Sequence, residues 1–555
     1  MTREPSRADA LADELVELTF EAQPIAATVY GIPGYDDQLG DPSAAAEREL
    51  RARAVDIAAR ATEKSDVDKP DAVTLAVVAQ QAQAFVDRID AHLAEYTITD
   101  LFIAPASGLL TLLAMVQLPT PKHAEDYLTR LRGLPAYLDV VAERHREGVA
   151  AGRLPVEHLV QAAISHLDRY LAAPEQDQLR RPAAPEEVAE SFTAERDQLL
   201  TDVVHPAFAA YRQVLADEIR QHARPAEKPG LSWLPGGGEM YTALSRVHTT
   251  TDRTPDELHQ TGLDLMAGVH AEFAEIGQRV FGTSDITEIF ERLRTDPELR
   301  WTSGDELLAA ARAAISKAEA VLPQWFGRLP SHSCKVEAVP EAEAPGAPMA
   351  YYMAPAMDGS RPGTYFANTY QPEERFRHTS EVTAFHEAVP GHHLQLAISW
   401  ELTDLPLLRR VADVNAYTEG WGLYCERLAA EMGLYTGDVD RLGMLAMDAV
   451  RAGRLVVDTG MHAKGWSRSD AVDYMVRNVP MPKLEINTEI DRYIAYPAQA
   501  LSYMVGRLEI QRLRQTAERA LGSGFDVREF HDLVIGGGPL PLTVLDQVVT
   551  DWVTT

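Results

Sequence analysis

Disulfide chemistry is almost absent from this chain. Its 555 residues hold two cysteines, Cys334 and Cys425, too few for a disulfide framework. The fold must rest on a packed core, in reducing surroundings by expectation. Basic charge is also scarce. Lys and Arg number 52 against 83 Asp and Glu, a net charge of −31, which argues against a nucleic-acid partner. The acidic excess reads as a solvated shell with a weak lean toward cationic or neutral ligands. Apolar character is scarce in the first residues: Met1 to Ala10 is charged and leads into Leu11-Ala-Asp-Glu-Leu-Val-Glu-Leu18 without an apolar signal core, which argues against secretion. The expected location is therefore cytoplasmic. One long uncharged run, Leu101 to Pro121, is broken by Pro105, Ser107 and Gly108, so it reads as a core segment and no membrane partner is expected. Fixed-period repeats and low-complexity tracts are lacking too.

What is present is helical patterning over a core-forming composition, 46% hydrophobic, enough for one large domain or two to three interlocked lobes. Residues 8–30 and 71–95 place apolar side chains at three- and four-residue intervals. Thr254-Pro-Asp-Glu257 is a capping box with proline at the first helical position, predicting a helix to about Phe281, and Ser303-Gly-Asp-Glu306 starts another. Pro, Gly and Trp punctuate Arg224 to Gly238, which divides the chain into an N-terminal helical lobe, 1–228, and a catalytic helical lobe, 229–555, expected to form one interlocked unit. Two β-prone stretches, Met349 to Met353 and Gly363 to Asn368, flank the turn-rich Met357-Asp-Gly-Ser-Arg-Pro362 and predict a hairpin or small sheet edge.

The chemistry concentrates in Thr383-Ala-Phe-His-Glu-Ala-Val-Pro-Gly-His-His-Leu-Gln395. His386-Glu387 opens the signature His-Glu-x-x-His, in which two histidines a helical turn apart grip zinc and the glutamate activates water. Here Pro390 precedes the next imidazoles, His392 and His393. On an ideal helix His392 points about 240° round from His386, and His393 shares its face but lies about 10.5 Å away. That is too far for two bonds of about 2.1 Å to one ion. Pro390 lacks the N–H that would bond the His386 carbonyl, Gly391 tolerates unusual dihedrals, and Val389 is pushed from helical angles. A two-residue bulge there would carry His392 into place. A third ligand is offered by Glu419 in Thr418-Glu-Gly-Trp-Gly-Leu-Tyr424, 27 residues beyond His392, with room for a turn near Asp404-Leu-Pro406 and a returning helix. Gly420 and Gly422 leave that helix bare for close packing. Cys425, on another face, reads as a small buried residue and not a ligand.

His-Glu-Ala-Val-Pro-Gly-His-His-Leu-Gln and Thr-Glu-Gly-Trp-Gly-Leu-Tyr resemble the signatures of the bacterial proteins catalogued as domain of unknown function 885. The likeness runs from Gly230-Leu-Ser-Trp-Leu-Pro-Gly-Gly-Gly238 to the C-terminus. More distantly the chain is similar to the helical gluzincin peptidases: angiotensin-converting enzyme, thimet oligopeptidase and carboxypeptidase Taq. The resemblance implies a mainly α fold, a two-lobed helical shell around a deep cleft with a small β element beside the metal-site helix. It also implies that His386, His392 and Glu419 hold zinc (Zn2+) and that Glu387 is the general base, with the histidine after Pro-Gly, His392, favoured over His393. The departure from the peptidases is the Pro-Gly insertion.

Two later constellations could complete such a site. Asp458 and His462 are four residues apart, with Arg454 four earlier. Arg454–Asp458 could be a structural ion pair, or Asp458 could raise the pKa of His462 and make it a cationic oxyanion donor. Farther on, Pro497 suits a first helical turn, with Gln499, Tyr503 and Arg507 on one face. The peptidases place a late tyrosine against the tetrahedral intermediate, which implies Tyr503 first and Tyr496 second. The expected activity is hydrolysis of short peptides or another small amide substrate. A zinc amidase or esterase, and a helical binding or scaffold protein with a degenerate motif, are the alternatives. Cobalt or manganese would suit the same donors as zinc.

Overall fold

The protein, seen in a computed structural model, is described at residues 6–64, 66–341, 344, 347–355 and 361–554. It is mainly helical with one small mixed sheet. The sequence signals explain where helices begin. Thr254 caps Pro255–Val280 with the full capping box, and Ser303 caps Gly304–Val321. The helices Arg7–Ala22, Pro24–Tyr30 and Lys69–Asp90 occupy the two periodic N-terminal stretches. The uncharged run forms the short helix Pro105–Leu113, most of it buried. No described helix is long and apolar enough to cross a membrane.

Apolar side chains gather in two clusters. The smaller draws on residues between Ile25 and Ile219. The larger takes in the helices Arg7–Ala22 and Lys69–Asp90 with the chain from Leu231 to Val549. At its centre is the long helix Asp438–Lys464, buried from Leu442 to His462 except at Met447. Pro255–Val280 packs along it closely enough that a Cβ on Gly262 would stand 2.8 Å from the side chains of Leu455 and Val456.

The sheet holds β1 (Lys335–Ala338), β2 (Ala350–Met353) and β3 (Thr364–Ala367) in the order β1-β3-β2. The expected antiparallel pair is β2–β3, in register Tyr352 to Tyr365; β1 adds a parallel edge that the sequence pattern does not announce. Residues 357–360 of the expected turn lie outside the described residues.

Candidate metal centre

The motif is broken where proline removes the helical hydrogen bond, and the break is larger than a bulge. One helix, Ser380–Glu387, ends at the glutamate, and a new helix, His392–Glu401, starts at the histidine. Between them Ala388 (ψ −105°) and Gly391 (ψ −128°) leave helical space. The turn is so tight that a Cβ on Gly391 would lie 1.8 Å from the His386 carbonyl oxygen. The helix Asn415–Glu431 braces it: Trp421 Nε1 (3.0 Å) and Cys425 Sγ (3.2 Å) both donate to the Pro390 carbonyl. Cys425 is buried, its thiol pushed well above the usual range by burial, and serves this role instead of ligation. Gly422 makes space for the His386 ring, which would stand 2.7 Å from a Cβ there.

These constraints bring His386, His392 and Glu419 together. One ligand atom from each lies within 4.8 Å of the others, the one such group among the described residues. His386 Nε2 is 3.5 Å and His392 Nε2 3.4 Å from Glu419 Oε2. Those gaps exceed a good hydrogen bond and match the edge of a tetrahedron of donors at about 2.1 Å from a shared centre, about 3.4 Å. The donor set therefore fits a metal ion. The imidazole rings stand at 85° with centroids 4.7 Å apart. The histidine side chains are 5% and 10% exposed, while Glu419 keeps 23%, so the group is reached from the glutamate side.

Charge coupling is strong. Burial pushes His386 down, but Glu419 and Glu426 outweigh it and bring the imidazole up to about 9. Burial likewise opposes ionisation of Glu419, and the two histidines overcome it, holding the carboxyl well below its usual range. Glu426 is a functional residue the motif reading missed. Fully buried, it accepts from His386 Nδ1 at 2.8 Å, which leaves Nε2 as the metal-facing nitrogen. Its signal was in the spacing: seven residues after Glu419, it shares that helix face.

His393 is excluded from the group by its own bonds. Nε2 donates to the His332 carbonyl and Nδ1 accepts from the Tyr352 hydroxyl, each at 3.0 Å. Glu387 lies at the end of its helix, where one oxygen accepts from the Tyr352 backbone N–H at 3.1 Å. Because Tyr352 is on β2, the sheet edge is anchored directly to this carboxylate.

Tyr503 is brought in by an unusually close crossing of the helices Asn415–Glu431 and Ser502–Leu521, where Gly420 faces Gly506 and a Cβ on Gly506 would lie 1.8 Å from the Ala416 carbonyl. Burial and then the Glu419 carboxylate hold the Tyr503 hydroxyl above its ordinary pKa, so it stays a donor. Tyr496 instead sets its ring edge-on to His248 at 5.1 Å. The expected first turn at Pro497 is corrected: Ala498 has φ 68°, with its N–H held by Asp458, and the helix begins at Ser502.

The expectation for His462 is also corrected. It accepts from Leu231 N–H at Nδ1 (3.1 Å) and donates from Nε2 to the Tyr493 carbonyl (3.0 Å). Burial pushes it down to about 4, the reverse of a cationic donor. Asp458 does not orient it, accepting instead from the Tyr241 hydroxyl and Ala498 N–H, and Arg454 pairs with Glu489, not Asp458.

Fold and site together define a mainly helical protein with a buried His-His-Glu group able to bind a metal ion. The chain belongs to DUF885, a family of bacterial proteins of unknown function whose profile matches residues 24–549. Among solved structures it is similar to a candidate lipoprotein from Colwellia psychrerythraea, 28% identical over the whole of both chains with a TM-score of 0.91. A candidate lipoprotein of unknown function from Shewanella oneidensis shares the fold at 16% identity, covering 98% of this chain and 100% of its own, with a TM-score of 0.75. A comparison with curated proteins finds no match.

Proposed function

We propose that this protein is a zinc-dependent hydrolase, a metallopeptidase that cleaves short peptides. The observation that carries the reading is the tetrahedral-edge spacing of His386, His392 and Glu419 with the non-ligating Glu387 directly beside the first of them. His386, His392 and Glu419 would hold the ion. A bound zinc supplies Lewis acidity, polarising a carbonyl and lowering the pKa of water.

The chain's own residues would supply the proton traffic. Glu387 accepts the proton of the attacking water and returns it to the leaving amine nitrogen. Its anchored oxygen fixes its orientation and leaves the other oxygen for that exchange. The Tyr503 hydroxyl donates to the oxyanion that develops on the former carbonyl. β2 is an edge strand beside Glu387, and its backbone outside the Tyr352 N–H that Glu387 occupies would take an extended peptide by strand addition. The resemblance to helical gluzincins supports the same assignment.

Elemental analysis of the purified protein, without added metal, tests the centre. About one zinc per chain, lost in Glu419→Ala, with peptide-library cleavage lost in Glu387→Gln, supports the proposal. Absence of metal even after zinc is offered would overturn it and leave a helical binding protein. Zinc with turnover of small amides or esters alone would make it an amidase or esterase. The two solved relatives are described as candidate lipoproteins, so fractionation of host cells should separate an envelope location from a cytoplasmic one.

A further inference from the structure

The buried part of Asp438–Lys464 carries five charged or titratable side chains, and four of them have hydrogen-bond partners. Asp448 takes Arg427 and Arg507, Arg454 takes Tyr493 and Glu489, Asp458 takes Tyr241 and Ala498, and His462 takes Leu231 and Tyr493. Arg451 is the exception. It is 8% exposed, its Nε is buried without a partner, and among the described residues its guanidinium makes no hydrogen bond. Its ion pair with Glu426 spans 3.7 Å, to the oxygen that accepts from His386, and the other Glu426 oxygen is buried without a hydrogen bond from it. Arg454 also buries Nη1 unpartnered.

Both arginines converge on one ring. The guanidinium carbon of Arg454 is 4.5 Å and that of Arg451 5.9 Å from the Tyr503 centroid. Arg492 adds a third guanidinium close by: it lies 4.9 Å over the neighbouring Tyr493 ring, and its fork is held by Gln499 and by Glu489, the carboxylate it shares with Arg454. Arg451 and Arg454 thus bury guanidinium nitrogens that no carboxylate satisfies. Buried cations short of partners are costly, and a planar carboxylate matches the guanidinium fork. Arg492 and Glu489 keep 25% and 23% side-chain exposure, so solvent reaches the cluster. Tyr503 feels the Glu419 carboxylate, and its helix Ser502–Leu521 crosses the helix that carries Glu419.

We propose that Arg451 and Arg454, over the Tyr503 ring, with Arg492 at the exposed edge of the cluster, form a subsite for a substrate carboxylate, in the first place the free C-terminal carboxylate of a peptide. The placement of the scissile bond rests on the peptidase reading above; the capture of the anion does not.

The test is calorimetric titration of zinc-loaded Glu387→Gln protein with three peptides of one sequence: the free acid, its C-terminal amide, and the amide carrying one internal glutamate. The acid should bind roughly tenfold or more tightly than the amide. Arg492→Gln and Arg451→Gln, each added to that background, should erase the difference, with zinc content and circular dichroism retained. Recovery of affinity by the glutamate peptide would identify a side-chain carboxylate as the source. Equal affinity for all three, or a preference that survives both substitutions, overturns the subsite. Should Arg451→Gln fail to fold, the more exposed Arg492→Gln decides alone. An acid preference in binding, with no cleavage by the wild type, keeps the subsite and sinks the peptidase; equal cleavage of acid and amide with equal binding does the reverse.

Discussion

His386 and Glu426 are joined by a 2.8 Å hydrogen bond from imidazole Nδ1 to a fully buried carboxylate. Glu426 sits two turns beyond Glu419 on the helix Asn415–Glu431. One helix face thus supplies a candidate ligand and, seven residues on, the group that orients another ligand. The arrangement fixes the tautomer as well as the ring, because a carboxylate can only accept.

Glu426→Ala should therefore lower metal affinity by about 10- to 100-fold, the usual effect of removing a ligand's orienting partner. Glu426→Gln, which can still accept at Nδ1, should fall between that variant and the wild type. Competition with a chromophoric zinc chelator reads both. Equal affinity in all three proteins would show that the bond does not support the site.

Much of this centre was legible in the sequence, and the rest was not, for definable reasons. His386, His392 and Glu419 stood out because a proline-glycine pair is the cheapest way to bring late histidines back to the first. The extent of the break was hidden, since Pro390 alone does not reveal that the chain restarts a helix at His392. Glu426 was readable from its seven-residue spacing and was passed over for want of a motif. β1 pairs in parallel with β3 across nearly thirty residues, a non-local contact without local pattern. His462 looked catalytic because Asp458 lies one turn away on the same helix. Its actual partners, Leu231 and Tyr493, come from remote segments that no local spacing could announce.

The neighbouring histidines should separate cleanly. His392→Ala removes one of three ligands and should strip the metal. His393→Ala loses only bonds to Tyr352 and His332, so metal content should stay near that of the wild type, with stability lower by about 1–3 kcal/mol. Elemental analysis beside thermal melts distinguishes them. Metal loss in His393→Ala at unchanged stability would reverse the assignment.

Gly391→Ala should damage the centre without touching a ligand. Its methyl would enter the His386 carbonyl, and the next contact, Phe385 O at 2.5 Å, is also backbone. Neither can swing aside as a side chain would. The turn must open, His386 and His392 move apart, and metal affinity should drop by at least about tenfold. Gly238, with nothing within 4 Å of its virtual Cβ, is the matched control: Gly238→Ala should leave zinc content intact.

Acid should destabilise the fold through its buried histidines. Burial pushes His145, His378, His462 and His531 down to about 4 and His248 to about 3, against an ordinary value of 6.5. Between pH 6.5 and 4 the unfolded chain binds protons that the folded one refuses, so stability falls as pH falls. Each histidine contributes up to about 1.4 kcal/mol per pH unit in that window. Asp458 and Asp440 act in the opposite sense: burial raises them to about 7 and about 6, and their contribution is lost as pH rises from 3.8 toward those values. Five strongly shifted histidines against two carboxylates leave the acid slope in charge. His386, brought up to about 9 in the metal-free protein, is already protonated when folded across this range. Its contribution is lost only as pH rises above 6.5. Scanning calorimetry with a chelator present should show Tm falling steadily from pH 6.5 to 4, with a shallower fall in His462→Gln. A Tm that holds level across that interval would mean these histidines take up their protons inside the folded protein.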